Sequence, residues 1–221
     1  MTNEQYFAEQ PAVQSQPISF AVALPDGTMQ LTTDRGVFSH GALDTGTRVL
    51  ILKAPALDPA RIGPGANLLD LGCGVGPIAI TMARRARQAT VWAVDVNNRA
   101  LHLTRDNARV NKVSNIQTCT PEQMDPSVRF EAIWSNPPIH IGKAAMHDML
   151  VHWLARLTPT GQGVLVVQKH LGSDSLLDWL NRTGFPTDRY GSAKGYRLLR
   201  IRPRDHVEAK PGAETVTPPS A

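Results

Sequence analysis

The chain has 221 residues, 42% of them hydrophobic, and a formal net charge of +4; that is enough chain for one domain with a full core, and a balance that admits a polyanionic partner without demanding one. No apolar run approaches the roughly 20 residues of a membrane span, and the N-terminus, MTNEQYFAEQPAVQSQP, lacks the basic start and apolar stretch of a secretion signal. Cys73 and Cys119 make neither a disulfide framework nor a zinc cluster, so the expectation is a cytoplasmic protein without metal.

Residues 1–16 are polar and aperiodic and read as a flexible arm. Residues 18–38, ISFAVALPDGTMQLTTDRGVF, hold two β-rich runs around Pro25-Asp26-Gly27, a hairpin signal. GALDTGTRVLILKA predicts a short helix with Asp44 or Thr45 at its cap. From Ala66 the pattern alternates. NLLDLG, TVWAVDV, NIQTCT, FEAIWSN and GQGVLVVQK read as buried strands. PIAITMARRARQ, NRALHLTRDNARVN, KAAMHDMLVHWLARLT and SLLDWLNRTG read as the helices between and after them. FPTDRYG and GYRLLRIRP form a last hairpin, and residues 205–221, rich in Pro, Ala, Thr and Glu, read as a disordered tail. Strands alternating with helices predict an α/β fold: a doubly wound, mostly parallel seven-stranded sheet with a final antiparallel hairpin and an N-terminal β-hairpin. Residues 17–204 are then a single domain. Its ligands belong at the carboxyl ends of the strands, where the strand order reverses.

The first buried strand runs into Leu69-Asp70-Leu71-Gly72-Cys73-Gly74-Val75-Gly76-Pro77. Gly72, Gly74 and Gly76 let backbone approach a ligand and turn tightly into a helix. The spacing is GxGxG; the third glycine of a dinucleotide fingerprint would fall at Pro77, and no GxxxxGK[ST] is present. Asp70 can accept from an amine or orient the loop. Cys73 reads as a small loop residue and not a nucleophile. The second strand ends in Val94-Asp95-Val96-Asn97, and an acid at that spacing accepts the hydroxyls of a ribose. The other reading of Asp95 is a helix cap, which Asn97 can also supply.

LDLGCGVGPIAI, then VDVN, then SNPP resemble the class I S-adenosylmethionine-dependent methyltransferases. FSHGALDTGTRVLI resembles the segment before the glycine loop in the "methyltransferase small domain" family, and NPPIH resembles the Asn-Pro-Pro-Phe-His of its small-subunit rRNA guanine-N(2)-methyltransferases. The resemblance covers residues 32–202. It implies S-adenosylmethionine as cofactor, held by Asp70, Gly72, Cys73, Gly74, Gly76, Asp95, Val96 and Asn136. It implies rRNA as partner, with Phe38, Asp44, Gly46 and Thr47 over the methionine end of the cofactor and the adenine pocket near Thr120 and Glu122. Larger members carry a second, degenerate methyltransferase-like domain where this chain has the arm and hairpin.

Asn136-Pro137-Pro138 follows the fourth parallel strand. The prolines stiffen the turn and lack N–H groups. The Asn136 amide oxygen and the Pro137 carbonyl can bind both hydrogens of one –NH2 group. An exocyclic guanine amine is a poor nucleophile, and two fixed acceptors direct its lone pair and stabilise the charge that grows on nitrogen. Asn136 and Pro137 are therefore the catalytic candidates, and Pro138, Ile139 and His140 the substrate-binding ones. Ile139 stands where relatives have an aromatic, so base stacking worth about 1–3 kcal/mol falls to a neighbour such as Trp134 or His140. Trp134 also reads as core. Three functions follow: methylation of a guanine amine in rRNA; methylation of a protein glutamine or small-molecule amine; or a non-catalytic RNA-binding protein of the same fold.

Overall fold

The computed structural model describes residues 13–39, 41–60, 62–138 and 141–204. The tail expected over 205–221 and most of the arm expected over 1–16 lie outside them. The last residues of that arm are fastened: Ser15 Oγ donates to Asp34 Oδ2 at 2.7 Å, and Arg99 Nη2 to the Val13 carbonyl at 3.0 Å.

The N-terminal hairpin is a sheet of its own, β1 (Ile18–Leu24) against β2 (Gly27–Thr33). Two strands alone are marginal in water. This pair is clamped onto helix α3 (Asn98–Val110) by two carboxamides. Asn107 Oδ1 accepts from Thr32 N at 2.8 Å while its Nδ2 donates to Thr32 O at 2.9 Å. Asn111 makes the same pair of bonds to Gln30. Each amide satisfies one edge residue of β2 as a neighbouring strand would.

Helix α1 (Thr45–Lys53) starts at Asp44, whose carboxylate accepts from Thr47 N. The main sheet follows: β3 (Asn67–Leu71), α2 (Pro77–Arg85), β4 (Thr90–Val94), α3, β5 (Ile116–Cys119), β6 (Phe130–Ser135), α4 (Lys143–Leu154), β7 (Leu157–Gln168), α5 (Ser173–Arg182), β8 (Thr187–Ala193) and β9 (Tyr196–Ile201). The strand order is β5-β4-β3-β6-β7-β9-β8. Only β9 runs against the direction of the other six strands, in the expected mostly parallel sheet. Element boundaries differ from the sequence pattern by a few residues, most between α4 and β7. The helix read through Thr158 stops at Leu154, and β7 begins at Leu157 because Leu157 pairs with Phe130 ahead of an irregularity in the β6–β7 register.

The central stretches of the sheet are mostly apolar because helices cover both faces. Leu68, Val91, Ala93, Trp134, Val164, Val166 and Leu198 meet α1, α2 and Leu101 of α3. The alternate set, Leu69, Leu71, Ile133, Leu165, Val167 and Leu199, meets α4 and α5. Trp134 therefore belongs to the core, 1% exposed, and cannot stand in for an aromatic at 139. The chain steps from β3 to β4 on one side and returns to β6 on the other. The order reverses between β3 and β6, and their carboxyl ends, Leu71 and Ser135, open the crevice where such folds bind ligands.

Candidate active site

Three glycines shape the loop after β3, all with positive φ: +73° at Gly72, +53° at Gly74 and +87° at Gly76. Their reasons differ. A Cβ on Gly72 or Gly74 would meet nothing within 4 Å, so there the bare backbone borders open space. A Cβ on Gly76 would lie 2.8 Å from Thr104 Cγ2, so that glycine lets the loop pack on α3. The Gly72 and Cys73 amides both donate to the Val94 carbonyl, at 2.8 and 3.0 Å, and fasten the loop to the end of β4.

Gly76 precedes α2 and has no side chain to cap it. Asp70 supplies the cap from the strand below: its Oδ2 accepts from Ala79 N, in the first turn of α2, at 2.9 Å. Among the described residues the other oxygen has no partner. Burial, with the nearby charge of Asp95, pushes the Asp70 carboxyl up to about 8. Cys73 is buried as well; burial and the two carboxylates hold its thiol well above its ordinary range, so it is no nucleophile at neutral pH.

Asp95 takes loop and helix together. Oδ2 accepts from Gly74 N at 2.9 Å and Oδ1 from Asn97 N at 2.9 Å. Burial raises its carboxyl to about 6, against the downward pull of three backbone N–H groups. The helix cap is Asn97, whose Oδ1 accepts from Arg99 N and Ala100 N while Nδ2 donates to the Gly36 carbonyl at 2.8 Å. With the cap filled, Asp95 faces the cavity. A carboxylate offers about four lone-pair sites, and the three backbone N–H groups leave one for a hydroxyl donor.

Asn136 is held from behind. Its Nδ2 donates to Asp44 Oδ2 at 2.8 Å and to Thr47 Oγ1 at 3.1 Å, both at the start of α1. Both amide hydrogens are thus committed, and the bonds fix which end of the amide is oxygen. Among the described residues no donor reaches the Asn136 oxygen or the Pro137 carbonyl.

These groups surround a cavity of about 570 Å³. Gly72, Gly74, Asp95, Val96, Asn136, Pro137 and Pro138 line it. Asp70, Cys73 and Gly76 do not; they set the loop's shape from beneath. Ile139 and His140 lie outside the described residues. Thr120 and Glu122 do not reach the wall but Pro121, between them, does, and Thr120 closes a capping box with Gln123. Val37, Phe38 and Ala100 complete that end. At the other end Met149, Trp153, Gln168, Leu171 and Tyr196 were not legible as site residues. Met149 and Trp153 sit in a stripe that reads as core. Gln168 and Tyr196 pair across β7 and β9 at the carboxyl edge, a position only the register reveals. Burial and the Asp44 charge raise the Tyr196 hydroxyl, keeping it protonated and able to donate.

Among the described residues no helix is long and apolar enough to cross a membrane, and no group of three or more His, Cys, Asp or Glu could hold a metal.

Comparison with known proteins follows the same lines. The family model "Methyltransferase small domain" matches residues 28–199. The protein YbxB of Bacillus subtilis is 30% identical over 203 residues, 90% of this chain and 98% of that one. Ribosomal RNA small subunit methyltransferase C of Pseudomonas putida is 32% identical over 164 residues, 72% of this chain and 47% of the enzyme. The solved T. thermophilus 16S rRNA N2 G1207 methyltransferase, in complex with AdoMet and guanosine, superposes with a TM-score of 0.69 at 27% identity, covering 88% of this chain and 52% of that one. The chain spans about half the length of these two methyltransferases.

Proposed function

The chain belongs to the methyltransferase small domain family, and on that premise we propose that it methylates the exocyclic amine of a guanine in rRNA. Family membership makes it an S-adenosylmethionine-dependent methyltransferase; the proposal concerns the acceptor. The glycine cradle fits that cofactor, since Gly72 and Gly74 border open space where any side chain would intrude. Asp95 keeps a lone pair for a ribose hydroxyl. When bound, S-adenosylmethionine supplies an electrophilic methyl group on a positively charged sulfur.

The observation that carries the reading is the locked Asn136 amide. With both its hydrogens held by Asp44 and Thr47, its oxygen is presented as an acceptor. Beside it the Pro137 carbonyl is a second acceptor on a backbone that the two prolines hold stiff. A planar –NH2 group needs two acceptors, one for each hydrogen. Binding both leaves the nitrogen lone pair as the free direction and favours the positive charge that develops there. No strong base is required, and positioning does most of the work. The aromatic ring of Tyr196, which lines the cavity, offers a planar acceptor the stacking surface that position 139 lacks.

The test compares methylated nucleosides in rRNA, by mass spectrometry, from cells with and without the gene. Loss of one N(2)-methylguanine is expected, restored by the wild-type gene and not by Asn136→Ala. An unchanged rRNA profile, or rescue by Asn136→Ala at the wild-type level, overturns the reading.

A further inference from the structure

A second cavity, of about 720 Å³, opens at the opposite end of the sheet, under the amino ends of β4 and β5. Its walls carry Arg84, Arg85, Arg87 and Lys112 against a single carboxylate, Asp26. Asp26 is already engaged by Arg85 at 2.6 Å. Among the described residues Arg84 has no counter-charge: its Nη2 bonds the Thr28 carbonyl at 3.1 Å and Asn111 Oδ1 at 2.9 Å, and its Nη1 is buried with no partner. Arg87 and Lys112 are exposed, and among the described residues neither side chain makes a hydrogen bond or ion pair.

The end of a helix normally repels an anion, because its last carbonyls face outward. Here α2 ends at the cavity, and one amide covers a carbonyl of its last turn, the carbonyl of its cap and one just beyond. Asn115 Nδ2 donates to the Ala83, Ala86 and Ala89 carbonyls at 3.4, 3.1 and 2.9 Å. Four cations, one carboxylate and masked acceptors make a cavity for an anion with several oxygens, and guanidinium groups match phosphate geometry best. Along α3, His102, Arg105 and Arg109, the last paired with Asp106 at 2.9 Å, are exposed between the catalytic crevice and Lys112. A helix of 13 residues spans roughly 20 Å, a few nucleotides of a single strand.

We propose that this cavity binds phosphate groups of an RNA strand whose target base lies in the catalytic crevice, the backbone following α3 between the two. The assignment rests on the rRNA reading of the catalytic site. It adds a second, sequence-independent contact on the far side of the sheet, which fixes the strand without reading its bases.

The test is binding of a labelled single-stranded RNA to the full chain over a range of salt, compared with Arg87→Gln/Lys112→Gln. Neither side chain bonds to the protein, so melting temperature and S-adenosylmethionine affinity stay at wild-type values. Each lost phosphate contact removes about 0.7 from the slope of log K against log salt. The double variant is expected to lose roughly 1.4 in slope, and affinity by roughly 10- to 30-fold at about 0.1 M salt. Equal slopes and affinities for the two proteins overturn the proposal while leaving the catalytic reading intact. A wild-type chain that binds no RNA overturns both. Inorganic pyrophosphate separates the sources of phosphate: if it binds wild type and not the variant while RNA binding is the same for both, the cavity serves a free phosphate compound, and the RNA assignment falls. Where the double variant does not fold, Arg87→Gln alone is expected to lose half the slope change, and an unaltered slope overturns the proposal.

Discussion

Asp95 predicts how cofactor affinity depends on pH. Burial raises its carboxyl to about 6, while Gly74, Asn97 and Val96 donate to the ionised form and hold the rise in check. Ribose hydroxyls donate, so they bind the carboxylate and not the acid. Affinity is therefore full above pH 7, about half at pH 6 and about one tenth at pH 5, falling tenfold per unit below the pKa. The tenfold drop from pH 7 to 5 corresponds to about 1.4 kcal/mol of binding free energy. Isothermal titration of S-adenosylmethionine at half-unit steps from pH 5 to 8 measures it. Asp95→Asn keeps an acceptor but cannot ionise; its curve is flat through this window apart from any titration of the cofactor itself, which it then reports. Affinity that does not change between pH 5 and 7 in wild type, or changes equally in both proteins, refutes the reasoning.

Three further outcomes follow from the site. The fully buried Asp70 has its carboxyl at about 8 in the folded chain against 3.8 as its ordinary value; the folded state binds a proton the unfolded chain has released, so stability falls as pH rises between those values and the penalty is complete above about 8. Roughly four pKa units set a ceiling of about 6 kcal/mol, and urea unfolding should show Asp70→Asn gaining stability over wild type at pH 9 relative to pH 5; equal pH slopes for the two would sink this account. Thr47→Val removes one of two bonds that lock the Asn136 amide, worth about 0.5–1.5 kcal/mol, so kcat for methyl transfer drops about 2- to 10-fold with cofactor affinity within about twofold; a loss confined to cofactor affinity contradicts the orienting role. Gly72→Ala and Gly76→Ala both force a left-handed backbone at about 1–2 kcal/mol, but only Gly76→Ala also meets Thr104. Thermal melts should therefore rank Gly76→Ala well below Gly72→Ala in stability, and calorimetry should find cofactor binding weakened in Gly72→Ala, whose melting temperature falls only by the few degrees the backbone strain costs. The reverse order contradicts the cradle.

The sequence by itself determined the fold class and pointed to the proposed acceptor motif, because both are written in local order. The parallel sheet follows from apolar runs alternating with amphipathic helices. The cofactor loop follows from glycines between a strand and a helix. The acceptor pair follows from Asn-Pro-Pro, whose stiffness is covalent. What sequence left open were choices between roles that residues of one type can all fill. Asp95 and Asn97 could each cap α3; only the fold gives the cap to Asn97 and turns Asp95 to the cavity. Asp70 could face a ligand or the loop; burial beneath α2 decides for the loop. Tertiary structure alone brought Asp44 and Thr47, some 90 residues upstream (separations of 92 and 89), against Asn136 and so gave its amide a direction. It alone placed Gln168 beside Tyr196 through the antiparallel register of β7 and β9. It also gathered Arg84, Arg87 and Lys112, from two helix ends, around one cavity. Spacing along a chain constrains neighbours on one element, but contacts between elements are set by packing of the whole core, and both the aim of the catalytic amide and the basic cavity depend on such contacts.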